Sequence, residues 1–170
     1  MSGAAVAAIA IAIPTTAFAQ GSETSVEPYI GASVGYHDIG TTIPDDDGVI
    51  YGIVAGVDVP VTDTLFVGAE ANFHLGDNAI DSEYGVAGRV GLRVADNSKL
   101  YLRGGYQEVD FDLGNFGIAT PPGFDTTEGD YLVGAGAEIG LGGGPLKLRA
   151  NVDTIAFDSL RVTGGVLFSF

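Results

Sequence analysis

The feature that most constrains this chain is a period of two. After residue 19 apolar positions alternate with glycine or polar positions in eight stretches, at 29–36, 49–59, 65–75, 84–94, 100–107, 131–141, 146–153 and 161–170. The 3.6-residue spacing of an amphipathic helix is nearly missing there. In "YIGASVGY" Ile30, Ala32, Val34 and Tyr36 share one face, with Gly31, Ser33 and Gly35 on the other. In "LKLRANVD" Leu146, Leu148, Ala150 and Val152 oppose Lys147, Arg149, Asn151 and Asp153. Each stretch has about the length a tilted strand needs to cross a bilayer. The links alternate between short (60–64, 95–99, 142–145) and longer (38–48, 76–83, 108–129, 155–160). That rhythm predicts an all-β, eight-stranded antiparallel up-and-down transmembrane barrel, with both ends of the chain on the short-turn rim.

A soluble barrel also alternates, so the distribution of charge between the faces decides which face is outside. Six of the seven cations, Arg89, Arg93, Arg103, Lys147, Arg149 and Arg161, fall on the glycine-rich face. Asp58, Glu70, Glu138 and Asp153 join them there. Long charged side chains interleaved with glycine suit a narrow lumen, where opposite charges pair. These ten residues are the predicted lumen network. On the apolar face Tyr36, Tyr51, Tyr84, Tyr106 and Tyr131 all lie toward the long-loop end of their strands, as an interfacial aromatic girdle requires. Apolar outside and charged inside is the pattern of a barrel in lipid.

Composition removes other classes. The formal charge of −15 argues against nucleic acid as a partner. With no cysteine there is no disulfide framework and no thiol nucleophile. Residues 1–19, "MSGAAVAAIAIAIPTTAFA", read as a cleaved signal peptide, with an apolar core, a breaking Pro14 and a small-x-small site at Ala17–Ala19, although no Lys or Arg precedes the core. Residues 20–27 form a short acidic lead, and 28–170 the barrel. Beyond the leader no run reaches the roughly 18 apolar residues of a membrane helix.

The opening strand "YIGASVGY", the segment "LYLRGGYQ" (100–107) and the terminal "GGVLFSF" (164–170) resemble the opacity-type porin family and the transmembrane domain of OmpA-like proteins, over residues 28–170. That resemblance implies a monomer in the outer membrane of a Gram-negative bacterium, with long loops extracellular and both termini periplasmic. Its partners would be outer-membrane lipid, lipopolysaccharide and the barrel-assembly machinery, for which Phe170 resembles the terminal aromatic signal. It also implies a non-enzymatic role in envelope structure and adhesion to a surface ligand or neighbouring cell. The alternative is a small passive channel. No cofactor is expected.

Fourteen acids are expected on the long-loop rim, Glu83 among them, and no Lys or Arg lies in 38–48, 76–83, 104–130 or 155–160. Asp45, Asp46 and Asp47 are weak candidates for a divalent cation, lacking the full spacing of a calcium loop. His37 and His74 are expected to point inward near the outer rim. A triad of His74, Ser82 and a loop Asp is conceivable, but no spacing selects it. "GLGGGP" (140–145) reads as a turn, and "FGIATPPGF" (116–124) as an apolar loop that either packs on the mouth or makes contacts.

Overall fold

A computed structural model describes residues 26–38, 48–77, 80–95, 97–111 and 127–170. The leader, Asp45–Asp47 and the apolar loop 116–124 lie outside the described residues. The strands are β1 (Glu27–Asp38), β2 (Gly48–Pro60), β3 (Leu65–Gly76), β4 (Ile80–Ala95), β5 (Ser98–Phe111), β6 (Thr127–Gly140), β7 (Leu146–Ile155) and β8 (Leu160–Ser169). Each pairs antiparallel with the next, and β8 returns to β1 to close the barrel. Closure satisfies the backbone of every strand and leaves no edge, which a chain in hydrocarbon requires. No helix among the described residues is long and apolar enough to cross a membrane.

Two boundaries differ from the sequence reading. The link expected at 76–83 shortens to residues 77–79, because β4 starts at Ile80. Ile80 points inward against Ile50 and Val109, so its apolar side chain adds a pleat to the barrel. Asp77 closes the turn, accepting from Val49 N at 2.7 Å through Oδ1 and from Ile80 N at 3.1 Å through its carbonyl. At the other rim β1 begins at Glu27, because that carboxylate is held inside by Arg93 and Lys99.

The wall is apolar outside and polar inside. Leu102 is 64% exposed and Ile53 57%, whereas Arg161 and Glu138 are each 1% exposed. Glycine makes this inversion possible. A Cβ on inward-facing Gly105 would lie 2.0 Å from the Val86 carbonyl oxygen, and one on Gly52 2.0 Å from that of Phe73. Outward-facing Gly104, beside Gly105 in the same strand, has its nearest atom at 3.8 Å. Space is therefore short inside the barrel, where long side chains fill a lumen of eight-strand width.

The β7–β8 turn is strained in one respect. Ala156 and Phe157 have φ of 54° and 65°, a left-handed pair that a primed hairpin turn demands and that glycine or asparagine adopts most easily. Phe157 is nevertheless a bulky aromatic, 75% exposed, at the long-loop rim.

Candidate functional site: the packed barrel interior

Along the barrel axis the inward side chains form a ladder of ion pairs. At the short-turn rim Glu27 receives Arg93 Nη2 at 2.5 Å and Lys99 Nζ at 2.9 Å. Lys99 also reaches Asp58 at 2.6 Å, and Asp58 accepts from Arg89 Nη2 at 3.1 Å. At mid-barrel Arg89 and Arg149 share Glu138, each at 2.7 Å. Glu70 is the hub of the next layer. It meets Arg89 at 3.2 Å, Arg103 at 3.1 Å and Arg149, and it accepts the Tyr29 hydroxyl at 2.6 Å. Asp153 joins Arg103 at 3.5 Å to Arg161 at 3.1 Å, and Arg161 reaches Glu83 at 2.6 Å. Glu83 finally pairs with His37 at 2.9 Å.

Buried charge is tolerated when paired and hydrogen-bonded, and every charged group of the ladder is paired through sharing, although Nε of Arg89, Arg93 and Arg103 has no hydrogen-bond partner. Seven cations and six carboxylates (Glu27, Asp58, Glu70, Glu83, Glu138, Asp153) leave an interior charge near +1. Aromatic faces add to the sum. The Arg89 guanidinium lies 4.1 Å from the Tyr101 ring centroid and 5.0 Å from that of Tyr29. Apolar side chains fill the remainder: Tyr29, Val54 and Leu167 form one inward cluster, and Ala87, Leu132 and Ile155 another. Toward the long-loop rim, Ile50, Ile80 and Val109 cap the ladder.

The structure places all ten of the lumen candidates inside the barrel, and most of them in this ladder, but it corrects the reading in three places. Lys99, the one cation left out, is 5% exposed and paired inside. Glu83, assigned to the outer acidic rim, is fully buried as the partner of Arg161 and His37. Glu27, assigned to the lead, is part of β1. Extending the alternation would have found all three. Lys99 has the parity of Arg103, Glu83 that of Arg89, and Glu27 that of Gly31. Lys147 lies inside without an ion-pair partner among the described residues.

The outward tyrosines also have definite places. All five are exposed, from 37% for Tyr84 to 72% for Tyr131. Tyr106 and Tyr131 sit directly opposite in register and touch edge to face, centroids 6.3 Å apart. Phe170 is 73% exposed and packs its ring on Phe168, 5.3 Å between centroids, while its N–H donates to the Pro28 carbonyl at 3.0 Å.

The triad candidate is not assembled. Ser82 donates to Asp110 at 3.3 Å. His74 instead faces Ser33 Oγ at 2.7 Å and Glu83 Oε1 at 3.5 Å, with His74 only 2% exposed. That Ser–His–Glu order is a sealed brace, since its carboxylate is held by Arg161. Among the described residues no cluster of His, Cys, Asp and Glu has the geometry to hold a metal. A cavity of about 840 Å³ is an open apolar depression of the wall, lined by Ala55, Ala69, Ala71, Gly88 and Tyr106 among others.

A closed, inside-out barrel with a salt-bridged interior is the arrangement of membrane barrels. The sequence profile of the outer membrane protein beta-barrel domain matches residues 4–166. The chain belongs to the outer-membrane β-barrel family. As a member of that family it is a protein of the Gram-negative outer membrane. No curated protein matches it in sequence. Among solved structures the outer-membrane barrel resembles Ail, the attachment invasion locus protein of Yersinia pestis, at 14% identity and a TM-score of 0.57, over 88% of this chain and 100% of Ail. It resembles the N-terminal barrel domain of Pseudomonas aeruginosa OprF at 12% identity and a TM-score of 0.55, over 85% and 97%. A de novo designed transmembrane barrel aligns at 16% identity and a TM-score of 0.54, over 89% and 100%. At these identities the likeness is one of fold, and it agrees with the expected OmpA-like architecture.

Proposed function

We propose that this barrel is a non-enzymatic scaffold whose long-loop rim faces the cell exterior and makes surface contacts, with both chain ends on the periplasmic side. The observation that carries this reading is the packed interior: among the described residues the central axis holds shared ion pairs and an apolar cap. A barrel that neither conducts nor catalyses acts through its rims. The buried His74 brace offers no reachable nucleophile, which weighs against catalysis.

Phe157 points the same way. A non-glycine residue held in a left-handed conformation while exposing a phenyl ring is strain retained at a tip, and such strain concentrates at contact sites. The rim chemistry indicates the class of partner. Ail has been crystallised with the heparin analogue sucrose octasulfate, a polyanion. The loops here carry acids and no Lys or Arg, so they suit a cationic partner surface instead.

Phe157→Gly separates contact from stability. Glycine relieves the left-handed backbone, so the folded barrel should gain about 1 kcal/mol in urea unfolding. Adhesion of cells displaying the barrel to a cationic surface should fall several-fold in the same variant. Adhesion unchanged by Phe157→Gly and by exchange of the 38–48 and 108–129 loops would remove the contact reading.

A further inference from the structure

The short-turn mouth of the barrel holds a pocket of about 250 Å³, separate from the ladder's centre. Arg93 of β4, Lys99 of β5 and Lys147 of β7 line it, with Asn97 in the β4–β5 turn and Ser169 at the end of β8. Three cations there face a single lining side-chain carboxylate, Glu27, and both its oxygens are occupied, Oε1 by Arg93 and Oε2 by Lys99. Asp58 is taken by Lys99 and Arg89, and Glu138 by Arg89 and Arg149.

Lys147 is therefore the exception in this interior. It is 8% exposed, yet it makes no hydrogen bond or ion pair with any described residue. Arg93 Nε in the same pocket is also buried without a hydrogen-bond partner. The Lys147 ammonium thus lines the pocket without an acceptor, and Arg93 Nε, like Arg89 Nε and Arg103 Nε deeper in the ladder, is a buried N–H that lacks one. Lys147 and Arg93 both line this space, which is below the roughly 300 Å³ of a drug-sized site.

We propose that this mouth is a binding site for one phosphate-type oxyanion, held by Lys147 and Arg93 with Lys99 adding charge. Tetrahedral phosphate matches donors arriving from three strands, and lysine serves it as a point charge. Either a phosphate monoester lipid headgroup at the membrane surface or a free phosphate could supply that group. Ser169 and Asn97 add neutral donors at the rim, and the low-dielectric wall focuses the positive field at the opening.

The test uses the full barrel folded in a maltoside micelle, which contains no phosphate. Inorganic phosphate is titrated by calorimetry, and phosphatidate is titrated in mixed micelles. Saturable binding of one equivalent, weakened at least tenfold in Lys147→Met and in Arg93→Gln, is expected in one arm. Binding of inorganic phosphate assigns the site to a free anion; binding of phosphatidate alone assigns it to a lipid headgroup. Lys147 has no partner to lose, so Lys147→Met should keep its heat-modifiable migration and raise its urea midpoint. No saturable binding in either arm, or binding that Lys147→Met leaves unchanged, overturns the proposal.

Discussion

Glu70→Ala is expected to destabilise the folded barrel by about 3–5 kcal/mol, the largest single-residue effect in the ladder. Glu70 meets three guanidinium groups and the Tyr29 hydroxyl, with 4% exposure. Its removal leaves Arg103, 5% exposed, with only the 3.5 Å contact to Asp153 as an ion pair. Arg89 and Arg149 keep Glu138, so the loss is graded across the three. A surface pair of the same geometry would contribute less than about 1 kcal/mol. Urea unfolding of the purified barrel therefore distinguishes a dry interior from a wet one. Glu70→Gln retains the volume and one acceptor oxygen, and should fall between wild type and Ala. A change under about 1 kcal/mol for Ala would mean that water screens the ladder.

Much of this fold was legible because period two, unlike 3.6, assigns every residue to one of two faces. Once Arg89, Arg93 and Arg103 shared parity with glycine, the outward direction of the apolar face followed. The errors came where parity was not carried through a presumed loop. Glu83 was counted with the rim acids because 76–83 is rich in Asp, Asn and Ser, yet β4 starts at Ile80, and past the irregularity between Ile80 and Ser82 Glu83 has the inward parity of Arg89. Lys99 stood beside the turn residues Asp96 and Asn97, which obscured its parity with Arg103. Which cations pair with which acids was not legible at all. Pairing depends on side-chain reach across the lumen, as from Arg161 to Glu83, and local sequence has no information about it. The lone state of Lys147 is a property of the whole ladder and has no signature in residues 146–153.

Gly104→Ala and Gly105→Ala, adjacent in β5, are expected to have opposite outcomes. At Gly105 the new methyl would stand 2.0 Å from the Val86 carbonyl oxygen and 2.6 Å from Ala87 Cα, both backbone atoms of the paired strand. Neither can yield without shifting β4, and overpacking of this kind costs about 1–3 kcal/mol or more. Gly105→Ala should lower the urea midpoint sharply and reduce the heat-shifted band. At Gly104 the nearest atom is the Leu132 carbonyl oxygen at 3.8 Å, and the methyl would point outward from the wall. Gly104→Ala should be neutral or stabilising by up to about 1 kcal/mol, through the lower entropy of the unfolded chain. Equal effects at the two positions would contradict the inside-out placement of this strand.

The proposed function requires a barrel closed along its axis, so that its work is done at the rims. Single-channel recording of the purified, folded barrel in a planar bilayer tests this most directly. Ion pairs shared by Arg89, Arg103, Arg149 and Arg161, capped by Ile50, Ile80 and Val109, predict a silent membrane without a stable open level. Sustained, reproducible openings of the unmodified barrel would contradict the account and make it a channel.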